Sequence, residues 1–134
     1  MAEPLFYLDR SDILDGRLAE VRDGMRELAG FVRAREPRLI AYHLFVDETE
    51  STMSVLAVHP DSASLDLHLR VGGPRFRAFG ALVRMRSMDV YGSPDPAVVD
   101  ALREKAEYLG GATLTLHAWQ AGFSRLLPPI GSDT

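Results

Sequence analysis

The chain has 134 residues, 46% of them hydrophobic and 25% charged, with a formal net charge of −4 and no cysteine. That is the size and composition of one ordinary globular domain. The acidic balance and the lack of a Lys/Arg run argue against a nucleic-acid partner, and the missing cysteines exclude disulfides, thiolate metal sites and a cysteine nucleophile.

The opening residues, MAEPLFYLDR, have no basic stretch followed by an apolar core, so they do not read as a signal peptide. No run of about 18 apolar residues is present to cross a membrane. The expectation is a cytoplasmic protein with no membrane partner. Fourteen of the fifteen basic residues are arginine, and Lys105 is the exception. That bias is attributed first to base composition.

Leu5 to Leu8 is a short run of strand formers that meets a turn-like cluster, Asp9-Arg10-Ser11-Asp12. A helix is expected from there, with Asp12 as its cap and Leu14, Leu18, Val21, Met25, Leu28 and Val32 on one face. Pro37 disfavours helical geometry at Glu36 and should end it. Two strands follow, Leu39 to Val46 and Thr52 to His59, joined by the polar stretch Asp47 to Ser51. Alternation is expected to place His43 and His59 on one shared face, with Tyr42 on the other. Both faces are mostly apolar. Asp61 is a good helix cap, so the leucine-rich segment Ser64 to Val71 is assigned to helix despite its strand-like period. Gly72-Gly73-Pro74 is expected to break it before a second short helix. Met85 to Tyr91 reads as a strand. Asp95-Pro96 then opens a helix that runs to Leu109 and stops at Gly110-Gly111. Thr113 to Trp119 alternates as a last strand. The expectation is a single domain over residues 1–127 and a loose tail over 128–134.

This order begins as the split βαβ arrangement of a ferredoxin-like α+β sandwich, with an extra C-terminal helix and strand. Helices cover one face of its antiparallel sheet. The second face is apolar too, so the expected partner is a second copy of the chain in a two-fold homodimer. Folding back of the last helix and strand over that face is the alternative.

The runs FVRAREPRLIAYHLFVDE, MSVLAVHPDSASLDLHLRV and SMDVYG resemble the antibiotic biosynthesis monooxygenase superfamily of dimeric α/β barrels. The resemblance rests on the Glu36-Pro37 step, Tyr42, the His59-Pro60-Asp61-Ser62 link, His68 and the Tyr91-Gly92 strand end, and it covers Leu5 to Gly92. It implies a small monooxygenase that oxidises a quinol- or anthrone-like aromatic without metal or flavin. It also implies His68 as the base, since imidazole titrates near neutrality. Haem binding or degradation, which some relatives perform, would need His68 as an iron ligand. A non-catalytic dimer holding a small apolar molecule is the other reading.

Candidate substrate-binding residues are Tyr42 and Arg86 as phenol and anion partners, His43 and His59 as pocket groups, and Trp119 as a pocket wall or dimer anchor. A metal site built on His43 and His59 lacks a third ligand. No glycine-rich phosphate loop follows a strand, and no serine sits in a nucleophile elbow.

Overall fold

A computed structural model describes residues 4–126. The expected tail over 128–134 lies outside the described residues. The elements run β1 (Leu5–Ile13), α1 (Leu18–Arg35), β2 (Ala41–Asp47), β3 (Thr52–His59), α2 (Ser62–Ala78), β4 (Val83–Tyr91), α3 (Pro96–Tyr108) and β5 (Thr113–His117), with a single 3-10 turn (Phe79–Ala81) after α2. The sheet order is β2-β3-β1-β4-β5. The first four strands are antiparallel, and β5 joins the edge parallel to β4. This is the ferredoxin-like α+β arrangement, extended by one helix and one parallel strand. Among the described residues no helix is long and apolar enough to cross a membrane.

The first helix starts later than expected. Asp9 and Ser11 do not end β1. They sit at inward positions of the central strand, hydrogen-bonded into β3 on one side and β4 on the other. Leu5, Tyr7, Asp9, Ser11 and Ile13 are all buried, the two-residue period of a strand. The turn comes at Gly16, whose φ of +77° suits glycine, so Leu14 lies outside the helix. In β4 the pairing slips between Arg10 and Ser11, so that Arg10 faces Ser87 and Ser11 faces Met85. The bulge inserts Arg86 and keeps Met85 and Met88 both buried despite their odd spacing.

The second helix is continuous through Pro74, where a break was expected. Proline forfeits one backbone hydrogen bond. Packing holds the helix across it: Phe76 lies so close over Gly72 that a Cβ there would sit 2.3 Å from its ring. The Asp61 cap is as expected, its side chain accepting from the Ser64 amide at 3.0 Å.

The β2–β3 hairpin corrects the assignment of faces. Asp47 pairs with Thr52 across a four-residue loop, which places Tyr42 opposite Ala57 and His43 opposite Leu56. An odd-length loop would have aligned His43 with His59. The even one turns Tyr42, Leu44 and Val46 toward the helices with Val55, Ala57 and His59, and leaves His43 and Phe45 on the other side. All three helices pack on that first face over one core that includes Tyr7, Val21, Leu65, Met88 and Leu102. The last helix and strand widen this layer and do not fold back over the second face, where Phe45 is 53% and Leu56 40% exposed.

Candidate functional site

The core under the helices is not wholly apolar. Asp9, Glu36, His59, Ser64, His68 and Lys105 are all buried, beside the phenol of Tyr7. Each is placed by its element's period. Glu36 is the residue after α1, one helical turn beyond buried Val32. His68 follows Leu65 on the inward face of α2, and Lys105 lies between Leu102 and Ala106 on that of α3.

They form two pairs and one trio. The imidazole Nδ1 of His68 lies 2.8 and 3.0 Å from the two carboxyl oxygens of Glu36. His59 Nδ1 meets the Ser64 hydroxyl at 2.9 Å. Lys105 Nζ donates to the Tyr7 hydroxyl at 3.0 Å, and that hydroxyl donates to Asp9 at 2.5 Å. Aromatic rings join the pairs: His68 stands edge-on to Tyr42 with centroids 5.2 Å apart, 5.4 Å from His59 and 4.9 Å from Phe76. Lys105 Nζ lies 4.1 Å above the Phe76 ring.

Burial sets the protonation states. It pushes Glu36 up to about 7, against the pull of Lys105. It pushes His68 and His59 down to about 3, with Lys105 acting in the same direction on both. Both imidazoles are therefore neutral at pH 7. Among the described residues the Nε2 of His68 has no partner. A buried donor without a partner is costlier than a buried lone pair, which assigns the proton to Nδ1, donated to Glu36. Burial also drives Lys105 down and Asp9 up, each opposed by the other's charge. It raises Tyr42 as well, with help from Asp9 and Glu36, so Tyr42 stays a phenol.

Two spaces meet this cluster. A cavity of about 30 Å³ lies inside, lined by Asp9, Tyr42, Phe76, Phe79 and Lys105 among apolar side chains. An open groove of about 580 Å³ lies outside, between the end of α1 and β2, lined by Arg33, Glu36, Leu39, Ile40, Tyr42 and His43 among others. Tyr42 borders both. The groove is of the size that takes small organic ligands.

No protein-family model matches the sequence, and no curated protein matches it significantly. Solved structures do match. MupZ from Pseudomonas fluorescens superposes with a TM-score of 0.71 at 15% identity, over 92% of this chain and 95% of that one. Rv0793 from Mycobacterium tuberculosis gives 0.60 at 16% identity, over 71% and 99%. SnoaB, a cofactor-independent oxygenase from Streptomyces nogalater, gives 0.58 at 21% identity, over 70% and 96%. The chain shares the ferredoxin-like α+β fold of these three proteins. At these identities the likeness is one of fold. The MupZ match is the longest of these three.

Within this fold, the structure brings together three of the six residues singled out from sequence: Tyr42, His59 and His68. His43 is exposed and joins Tyr42 along the outer groove and along a neighbouring one beside α1. Because His43 and His59 point to opposite faces, they cannot share a metal. Arg86 is exposed at the bulge, 3.4 Å from Asp12. Trp119 lies past the end of β5, which stops at His117, and borders a separate groove with Asp61 and Asp95. A haem does not fit at His68, which is 2% exposed and packed among the rings of Tyr42, His59 and Phe76.

Sequence reasoning missed Glu36 as a site group, along with Asp9, Tyr7 and Lys105. The signals were present. Glu36 continues the 25-28-32 spacing of the buried α1 face, and Lys105 fits the 98-102-105-109 spacing of α3.

Proposed function

We propose that the chain is a cofactor-independent oxygenase that binds a small quinol- or anthrone-like aromatic in the groove beside β2. The observation that carries this reading is the Glu36–His68 pair, whose carboxyl group lines the groove. A carboxyl group held near pH 7 is matched to proton removal at neutral pH. Glu36 takes the acidic proton of the substrate, and the Nδ1–H of His68 steadies the carboxylate before the transfer. Arg33 supplies a cation and Tyr42 a phenol for the oxygen of the resulting anion. The electron-rich anion then reacts with O2. An activated methylene becomes a carbonyl, one oxygen atom entering the product and the other leaving as water. The fold shared with SnoaB, named as a cofactor-independent oxygenase, supports the reaction class.

The partly exposed second face of the sheet, with Phe45 and Leu56 at its surface, supports a homodimer through that face. Native mass spectrometry should show a dimer, and Phe45→Asp should convert it to monomer.

Oxygen uptake with a panel of quinols and anthrones tests the activity. Uptake that is lost in Glu36→Gln with the dimer intact supports the reading. Uptake by neither protein, with a panel member still retained in the groove, would leave a ligand-binding dimer in place of an enzyme.

A further inference from the structure

The chain holds fourteen arginines and one lysine. No arginine is buried: thirteen are exposed and Arg22 is partly so. The single lysine is 4% exposed, in the middle of the core. For a structural ion pair this is the wrong cation. Guanidinium is the more weakly hydrated ion and forks onto a carboxylate, whereas an amine differs chiefly in that it can lose its proton and act as a nucleophile. A buried ion pair is also weak evidence for stability in its own right. The single lysine of this chain stands in the wall of a small cavity.

We propose that Lys105 is a covalent carbonyl-binding residue, whose amine adds to a small aldehyde in the cavity beneath α3 and forms an imine. This stands apart from the oxygenase reading, which uses the outer groove and Glu36. The geometry supplies each part. The Nζ lies over the Phe76 ring at 4.1 Å, in apolar surroundings. The Tyr7 hydroxyl is 3.0 Å from it and Asp9 Oδ2 is 3.9 Å away. Burial acts on both members of the pair in the direction of neutral amine and protonated carboxyl.

The step balances within these groups. The amine lone pair attacks the carbonyl carbon, the C=O π bond breaks, and the oxygen takes a proton from Asp9 through Tyr7. Asp9, through Tyr7, then takes a proton from the carbinolamine nitrogen and returns it to the hydroxyl, which leaves as water as C=N forms, and the remaining N–H proton of the iminium passes back to Asp9. Amine and aldehyde become imine and water, with no oxidant or reductant. At about 10–15 Å³ per water-sized group, the cavity of about 30 Å³ admits two or three non-hydrogen atoms. The ligand class is therefore a one- or two-carbon aldehyde.

A single-lysine chain makes the test direct, because its amines are Lys105 and the α-amine alone. The folded protein is treated at neutral pH with acetaldehyde and cyanoborohydride, and the two sites are followed by peptide mass mapping. In the urea-unfolded chain the α-amine should react first, as its ordinary pKa is lower. In the folded protein Lys105 is expected to gain the ethyl group at least tenfold faster than the α-amine. Benzaldehyde, too large for the cavity, should label the α-amine only. Tyr7→Phe should slow labelling at Lys105 and leave the α-amine unchanged. Labelling of Lys105 at a rate equal to or below that of the α-amine, or none at all, would overturn the proposal, as would equal labelling by benzaldehyde.

Discussion

Glu36 and His68 are 32 residues apart in sequence and 2.8 Å apart in the fold. The carboxyl group ends the buried face of α1 and borders the outer groove, and the imidazole stands behind it on α2. Only the ionised carboxylate can take a proton. With Glu36 at about 7, kcat/KM for a quinol should climb as pH rises through 7 and level off above about 8. Glu36→Gln keeps the shape and removes the base, so activity should fall by about 10²-fold or more and the rise should vanish. A pH–rate profile that keeps its limb in the variant would assign the proton removal to another group.

His68→Leu tests the positioning role. A hydrogen bond to a charged group is worth roughly 1.5–3 kcal/mol, which is about one to two pKa units. Loss of the Nδ1–H favours the protonated carboxyl, so the midpoint of the pH–rate profile should move up from 7 by about one unit. At saturating pH most of the activity should return. If His68 only filled space, the midpoint would stay where it is and stability alone would change.

The parts of this fold that were legible were those decided locally. Asp61 caps α2, Pro96 opens α3, and the Thr52–His59 strand runs as its alternation indicates. What stayed hidden depended on tertiary pairing. Asp9 and Ser11 look like turn residues until strands flank them on both sides. Whether His43 or Tyr42 faces the core depends on the parity of the β2–β3 loop. His68 was identified through resemblance, yet its role changes once Glu36 is found between it and the groove. A polar residue on an otherwise apolar helix spacing, as at Glu36 and Lys105, was the one local sign of the buried cluster.

Gly72 and Phe76 test how tightly α2 is packed. In an open helix, alanine for glycine would add about 1 kcal/mol of stability. Here the new Cβ would lie 2.3 Å from the Phe76 ring. That ring is held between His68 and Lys105 and cannot swing freely, and overpacking of this kind costs about 1–3 kcal/mol. Gly72→Ala should therefore lower stability by about 1 kcal/mol net in urea denaturation, while Gly73→Ala, with nothing within 4 Å of its Cβ, should not. Equal effects at the two sites would contradict this packing.

The buried histidines set a pH window for stability. Burial lowers His59 and His68 from 6.5 to about 3. Below about 6.5 the unfolded chain takes up protons that the folded chain refuses, so their contribution is present above that pH and is lost as the pH falls toward 3. Glu36 acts in the opposite sense: its pKa is raised from 4.5 to about 7, so its contribution is present below 4.5 and lost as the pH rises through 7. The two effects overlap between 4.5 and 6.5, and single variants separate them. His59→Gln loses its bond to Ser64, a constant offset, and it also removes one titrating group. Its stability should therefore fall less steeply than wild type between pH 6.5 and 3, by up to about 1.4 kcal/mol per pH unit. Glu36→Gln should fall more steeply than wild type between 7 and 4.5, because the proton uptake that offsets the histidines is gone. Urea denaturation across that range decides it: parallel curves for wild type and His59→Gln would mean that the His59 ring is already solvated, or protonated, in the folded chain.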